Sequence, residues 1–219
     1  MTDRLQLISD ISDEIISNLT DTLVYRLAID GTDGAGKSIM GDELASDLQN
    51  KNVHVIRSSV DFFHNPREVR YKLGPKSPEG FFRDSFNYSK LKELLLDPIG
   101  KNSSQLFCNR YFNHRSNQVE QSSPKRVENR SVLVFDGIFL HREELVNYWD
   151  FSIFLNVTRQ ETIRRCYNRD GGSPDVDAPE NRRYVEGQKI YLAQCKPMQL
   201  ANLVVNNENF EAPFIEKRN

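Results

Sequence analysis

Apolar residues near the start of the chain recur at three- and four-residue steps. Leu5, Ile8, Ile11, Ile15, Ile16 and Leu19 predict an amphipathic helix over 4–19. Later apolar stretches are short and unbroken instead. "LVYRLAID" (23–30), "VHVIRSS" (53–59), "SVLVFDGIF" (131–139), "FSIFLNV" (151–157) and "ANLVVNN" (201–207) read as strands. The third and fourth are continuously apolar, as strands buried on both faces are. Helical spacing returns between them, over 38–50, over 88–97 (stopped by Pro98 and Gly100), from Thr158 to about 170, and over about 180–196. Residues 60–83 read as a long loop, and 101–130 as polar and irregular, with one hairpin around "SQLFCNRYF". Strands alternating with helices imply a parallel sheet with right-handed crossovers. With no internal repeat and no linker, residues 1–219 are expected to form one three-layer α/β domain.

Composition narrows the partners. The formal net charge of −2 argues against a nucleic-acid backbone as the main partner. Cys108, Cys166 and Cys195 are odd in number and unpaired in spacing, which suits thiols in a reducing compartment. The N-terminus lacks a basic region and an apolar core of the signal-peptide kind. No apolar run approaches the ~20 residues that span a bilayer. A cytoplasmic protein without membrane or nucleic-acid partners is expected; association into a homo-oligomer is left open.

"GTDGAGKS" (31–38) fits G-x-x-x-x-G-K-[ST] and lies between a strand-like and a helix-like run. Glycines let backbone amides wrap phosphates, and the following helix adds the favourable end of its dipole. Gly31, Thr32, Asp33, Gly34, Ala35, Gly36, Lys37, Ser38 and Ile39 are the expected nucleotide cradle. Lys37 would reach the β- and γ-phosphates of ATP, and the Ser38 hydroxyl would bind Mg²⁺. Two acids stand at the ends of expected parallel strands, the edge where open α/β sheets take ligands. These are Asp61, after "VIRSSV", and Asp136, ending "VLVF". Such a pair suits metal holding and deprotonation of an acceptor hydroxyl.

Together with the glycine loop, "VDFFHNP" (60–66) resembles the Asp-x-Phe-Tyr segment of uridine kinase-like proteins, the group that includes phosphoribulokinase. "LVFDGIFL" (133–140), "TIRRCYNRD" (162–170) and "YLAQCKPMQLANLVVNN" (191–207) resemble later segments of the same family, in family order. The resemblance implies a P-loop NTPase fold, an α/β/α sandwich with a mobile lid at about 170–182 and acceptor-site loops at about 60–87 and 101–130. It implies that Asp61 is the base and that Asp136, a Glu in most of the family, helps Ser38 hold Mg²⁺. Phe63 stands where the family often has Tyr. "RYFNHR" (110–115) is similar to the stretch that closes over a nucleobase, without the Asp that follows the tyrosine. Tyr111, His114 and Arg115, with Asp84 near the ribose, complete the acceptor contacts that the resemblance implies.

Arg164, Arg165 and Arg169, then Arg182 and Arg183, flank "DGGSPDVDAPEN". Residues 165 and 169 share a helical face. That pair is expected to meet the transferring phosphoryl group when the lid closes. The expected activity is transfer of the ATP γ-phosphoryl group to a hydroxyl of a small metabolite, foremost a nucleoside such as uridine or cytidine, or a related ribosyl compound. A nucleotide-binding switch or regulatory ATPase is the alternative. Against a GTPase stands the absence of any Asn-Lys-x-Asp segment.

Overall fold

The computed structural model describes residues 3–19, 24–101 and 103–219. Six strands form the main sheet: β1 (Val24–Gly31), β2 (His54–Ser59), β3 (Ser131–Asp136), β4 (Phe151–Asn156), β5 (Leu203–Asn206) and β6 (Phe214–Arg218). Their order across the sheet is β6-β5-β4-β1-β3-β2. All neighbours run parallel except β6, which is antiparallel to β5. Leu23, expected to open β1, lies outside the described residues.

Period-two alternation sorts the strand residues between two cores. Leu27, Ile29, Val132, Val134, Ile153 and Leu155 meet helices α1 (Asp3–Ser17) and α2 (Lys37–Asn50). Ala28, Leu133, Phe135 and Phe154 face the opposite layer. That layer contains α3 (Pro78–Asp84) and α5 (Arg182–Cys195), while α4 (Arg159–Asp170) follows β4. The result is the expected three-layer α/β/α sandwich around a mostly parallel sheet.

Several expected elements differ in detail. The long loop after β2 contains a 3₁₀ turn, Val60–Phe63, and then α3. Helix α3 carries its own start signal: the Ser77 hydroxyl accepts from the Gly80 amide at 3.0 Å, and Pro78 occupies the first turn. The helix from Tyr88 widens into a π-turn over Lys92–Leu96, closed by Asp97 N–H to Lys92 O at 2.9 Å, with Leu91, Leu95 and Leu96 fully buried. In the irregular region two short ladders form, Leu106–Phe107 with Lys125–Arg126 and Phe112–Asn113 with Gln118–Val119. Strand β6 was not anticipated, because "FIEKR" carries charge rather than apolar alternation; its charged residues are exposed, as suits a sheet edge.

Register places the site. Ile29 and Ser59 both pair with Asp136, so the exits of β1, β2 and β3 lie side by side at one sheet edge. The glycine loop, Asp61 and Asp136 therefore converge without further help.

Candidate active site

The glycine loop is shaped by close backbone approaches. Gly34 has φ +78°, and a Cβ there would stand 2.4 Å from the Thr162 carbonyl of α4; Gly36 has φ +95° and leads into α2. Lys37 Nζ donates to the Thr32 carbonyl at 2.7 Å, so the ammonium folds back over the loop. The first-turn amides of α2 have no carbonyl of their own helix to bind, which makes its N-terminus an anion site. The Asn207 side chain braces the loop by donating to Ala35 O at 2.7 Å.

Ser38 Oγ donates to Asp136 Oδ2 at 2.7 Å. Asp136 Oδ1 lies 2.7 Å from Arg57 Nη1, yet that buried oxygen accepts no hydrogen bond of good geometry. A hydroxyl and a carboxylate are hard oxygen donors, the set Mg²⁺ takes alongside substrate phosphates. Among the described residues no group of three His, Cys, Asp or Glu is poised to hold a metal. These two oxygens thus fit an ion arriving with a nucleotide better than a resident one. Arg57, which also binds Asp42 at 2.9 Å, is a part of this arrangement that sequence reasoning missed.

Two cavities open over this edge. One, about 990 Å³, is lined by Gly36, Lys37, Ser38, Asp136 and Arg165. The other, about 490 Å³, lies under α5 and is lined by His64, Arg70, Tyr71, Phe86, His114 and Tyr184. Asp33, Asp61, Ile138 and Arg169 line both. Asp61 is accessible in the cleft but largely surrounded by protein, and burial, followed by the Asp136 charge, raises its pKa above the ordinary 3.8. Burial likewise raises the Asp33 pKa. Asp33 Oδ2 accepts from Gln188 Nε2 at 3.0 Å, tying the loop to α5.

The residues expected at the acceptor site lie in different surroundings. Phe63 is fully buried in the core and lines neither cavity. In a 3₁₀ turn residues i and i+3 lie on one side. Asp61 is therefore joined by His64, whose Nδ1 donates to the Asp61 carbonyl at 2.9 Å, while Phe63 turns inward. Burial lowers the His64 pKa to about 4, which leaves the ring neutral at pH 7. His114 lines the cavity and packs on His64, ring centroids 4.6 Å apart. Tyr111 and Arg115 line neither cavity: Tyr111 packs against the core beside Lys90, and Arg115 is exposed beyond the Phe112–Asn113 ladder. Asp84 is buried and paired with Lys72 at 2.9 Å, away from the cavity lining.

The arginines divide too. Arg165 binds Glu161 at 2.7 Å and the carbonyls of Asn207 and Glu208 at 2.9 and 2.8 Å, so its fork is largely engaged. Among the described residues Arg169 pairs with its exposed neighbour Asp170 alone, and it stands where the two cavities meet. His64, Arg70, Tyr71, Tyr184 and Gln188 were not singled out beforehand. A signal for His64 existed in its three-residue spacing from Asp61.

Among solved structures, the chain is similar to a possible uridine kinase from Bacillus stearothermophilus, with TM-score 0.72 and 19% identity over 92% of this chain and 97% of that one. It is also similar to a candidate fructose transport system kinase from Silicibacter sp. TM1040, with TM-score 0.64 and 18% identity over 89% and 94% of the two chains. D-glycerate 3-kinase from Cryptococcus neoformans var. grubii gives TM-score 0.57 and 10% identity over 92% and 95%. At such identities the likeness speaks for the fold. No curated protein matches the sequence. The model of the Phosphoribulokinase / Uridine kinase family matches residues 27–173, from β1 through α4. With the glycine loop, Ser38 and Asp136 set along one sheet edge as described, the chain belongs to the phosphoribulokinase/uridine kinase family.

Proposed function

We propose that the protein transfers the γ-phosphoryl group of Mg²⁺-bound ATP to a hydroxyl of a small metabolite, a nucleoside or related ribosyl compound in size. The observation that carries this reading is the meeting of two cavities at Asp61 and Arg169. A nucleotide-hydrolysing switch needs only the first cavity. A transferase needs a second one opening onto the same carboxylate.

In this reading the α2 N-terminus and Lys37 bind the triphosphate, and Ser38 and Asp136 hold the ion. Bound there, Mg²⁺ would neutralise phosphate charge. Asp61 accepts the proton of the acceptor hydroxyl, and its raised pKa makes it a better base than an ordinary carboxylate. Arg169 stabilises charge spreading over the moving group once it leaves Asp170, and Gln188 couples the glycine loop to α5. Closure of segment 170–182 over the phosphates is part of the proposal. Cys108, Cys166 and Cys195 are all free thiols, in keeping with a reducing, cytoplasmic compartment. No helix among the described residues is long and apolar enough to cross a membrane.

The test is ATP consumption against a panel of hydroxylated metabolites. Stimulation by one or a few members above basal hydrolysis is expected. Basal hydrolysis that no member stimulates would favour the regulatory ATPase.

A further inference from the structure

Two arginines on the wall of the smaller cavity, Arg70 and Arg183, have no carboxylate partner among the described residues. Arg70 has no acid within ion-pair distance among the described residues. Its buried Nε has no hydrogen-bond partner, and Nη2 reaches only the His114 carbonyl, at a long 3.4 Å. Arg183, buried beside it, gives its guanidinium to the backbone carbonyls of Gly74, Pro75 and Arg70 at 3.1–3.4 Å, again with no carboxylate. Tyr71 lies under both, with guanidinium carbons 5.4 and 4.9 Å from its ring centroid. Buried Asp84 is held by Lys72 at 2.9 Å.

Arg183 is buried and Arg70 half-buried with its Nε out of water, and a desolvated guanidinium without a counter-charge is costly. The aromatic faces offset only part of that cost. Arginine's planar fork suits the paired oxygens of a carboxylate or phosphate. A continuous path joins Arg70 to the proposed base. Arg70 touches His114, the His114 ring packs on His64 at 4.6 Å, and His64 binds the backbone of Asp61 at 2.9 Å. Cation and base thus lie along one wall of a single cavity of about 490 Å³.

We infer that the acceptor is an anion, a hydroxylated small metabolite whose carboxylate or phosphate binds Arg70, with Arg183 behind it, while its hydroxyl faces Asp61. This rests on the kinase reading above and narrows it: a neutral nucleoside leaves Arg70 unpaired. Of the residues expected to close over a nucleobase, Tyr111 and Arg115 lie outside the cavity lining, and His114 lines it.

The test uses matched pairs of acceptors, free sugars and nucleosides against sugar phosphates and hydroxy acids, with the full chain and its Arg70→Met and Arg70→Lys variants. Anionic members should be phosphorylated in preference to neutral ones, and the better-used arm tells phosphate from carboxylate. Arg70→Met should raise the acceptor KM about 10–100-fold, the worth of a lost charge-assisted contact, with kcat and the KM for ATP within about threefold. Arg70→Lys should fall between, since it keeps charge without the fork; it also carries the test if the Met variant fails to fold. Neutral members used as well as their anionic partners, or an acceptor KM unmoved by both variants, would overturn the anion site and leave the kinase reading standing. If no member is phosphorylated, the kinase reading fails. The site is then judged by calorimetry with inorganic phosphate, the nucleotide site being filled with a non-hydrolysable ATP analogue. Binding that Arg70→Met abolishes upholds the site, and absence of binding overturns it.

Discussion

Asp61 stands where burial and the neighbouring Asp136 charge both oppose its ionisation. A carboxylate of that kind must be deprotonated to act as a base. The acid limb of kcat/KM should therefore fall through a pKa above the ordinary 3.8, and a pH–rate profile checks it. Stability has the opposite sign. A folded-state pKa above the unfolded one means that the native state binds more protons in the window between them, so stability declines as pH rises through that window. Above it the penalty is fully present. Asp61→Asn should accordingly lower kcat by roughly 10²–10⁴, leave ATP affinity intact, and melt no lower than the parent at pH 7. Calorimetry and thermal unfolding on one preparation check all three. Lys37, Ser38, Asp61 and Asp136 were legible because each sits at a fixed offset from a strand end or a glycine. Phe63, expected at the acceptor site, is buried in the core, and His64, which was not singled out, lines the cavity, because a 3₁₀ turn decides which side chain turns inward.

Helix α5 holds the smaller cavity together through two features that spacing alone did not reveal. Gly187 lies against α3, where an added Cβ would come within 2.7 Å of Phe81 Cδ1 and 2.9 Å of the Pro78 carbonyl. Gly187→Ala should cost about 1–3 kcal/mol by denaturant unfolding, the usual range for overpacking, and should raise the acceptor KM without moving that for ATP. Below the glycine loop, the Tyr191 hydroxyl donates to buried Asp30 and accepts the His141 amide at 3.1 Å, while the His141 ring binds Asp30 at 2.6 Å and Ser152 at 3.0 Å. Tyr191→Phe leaves the Asp30 carboxylate and the His141 amide each short of a partner. A loss of about 1–3 kcal/mol in the same unfolding measurement is expected. Arg165 and Arg169, equivalent on a helical wheel, are not equivalent in the fold, because only Arg165 has carbonyls within reach. Arg169→Ala should lower the single-turnover rate by about 10³–10⁵, whereas an ordinary surface arginine would change stability by under about 0.5 kcal/mol and leave the rate alone.

At the scale of the molecule, the parallel sheet was readable because its strands are buried on both faces and so are continuously apolar: Val132, Leu133, Val134 and Phe135 are all fully buried. The antiparallel edge strand β6 and the broken loop after β2 were not, since neither needs a long apolar run. The charge on the smaller cavity escaped notice for a related reason. Arg70 and Arg183 are distant in sequence and meet only when α5 packs against the segment before α3. The central claim is that two cavities sharing Asp61 pass a phosphoryl group between them. It is tested most directly by following the fate of labelled γ-phosphate from ATP in the presence of hydroxylated metabolites, with wild type and Asp61→Asn side by side. The account predicts that label appears as a phosphate ester of the acceptor and that Asp61→Asn abolishes this transfer while still binding ATP. Label recovered only as inorganic phosphate, at rates that neither acceptor nor Asp61→Asn alters, would contradict it.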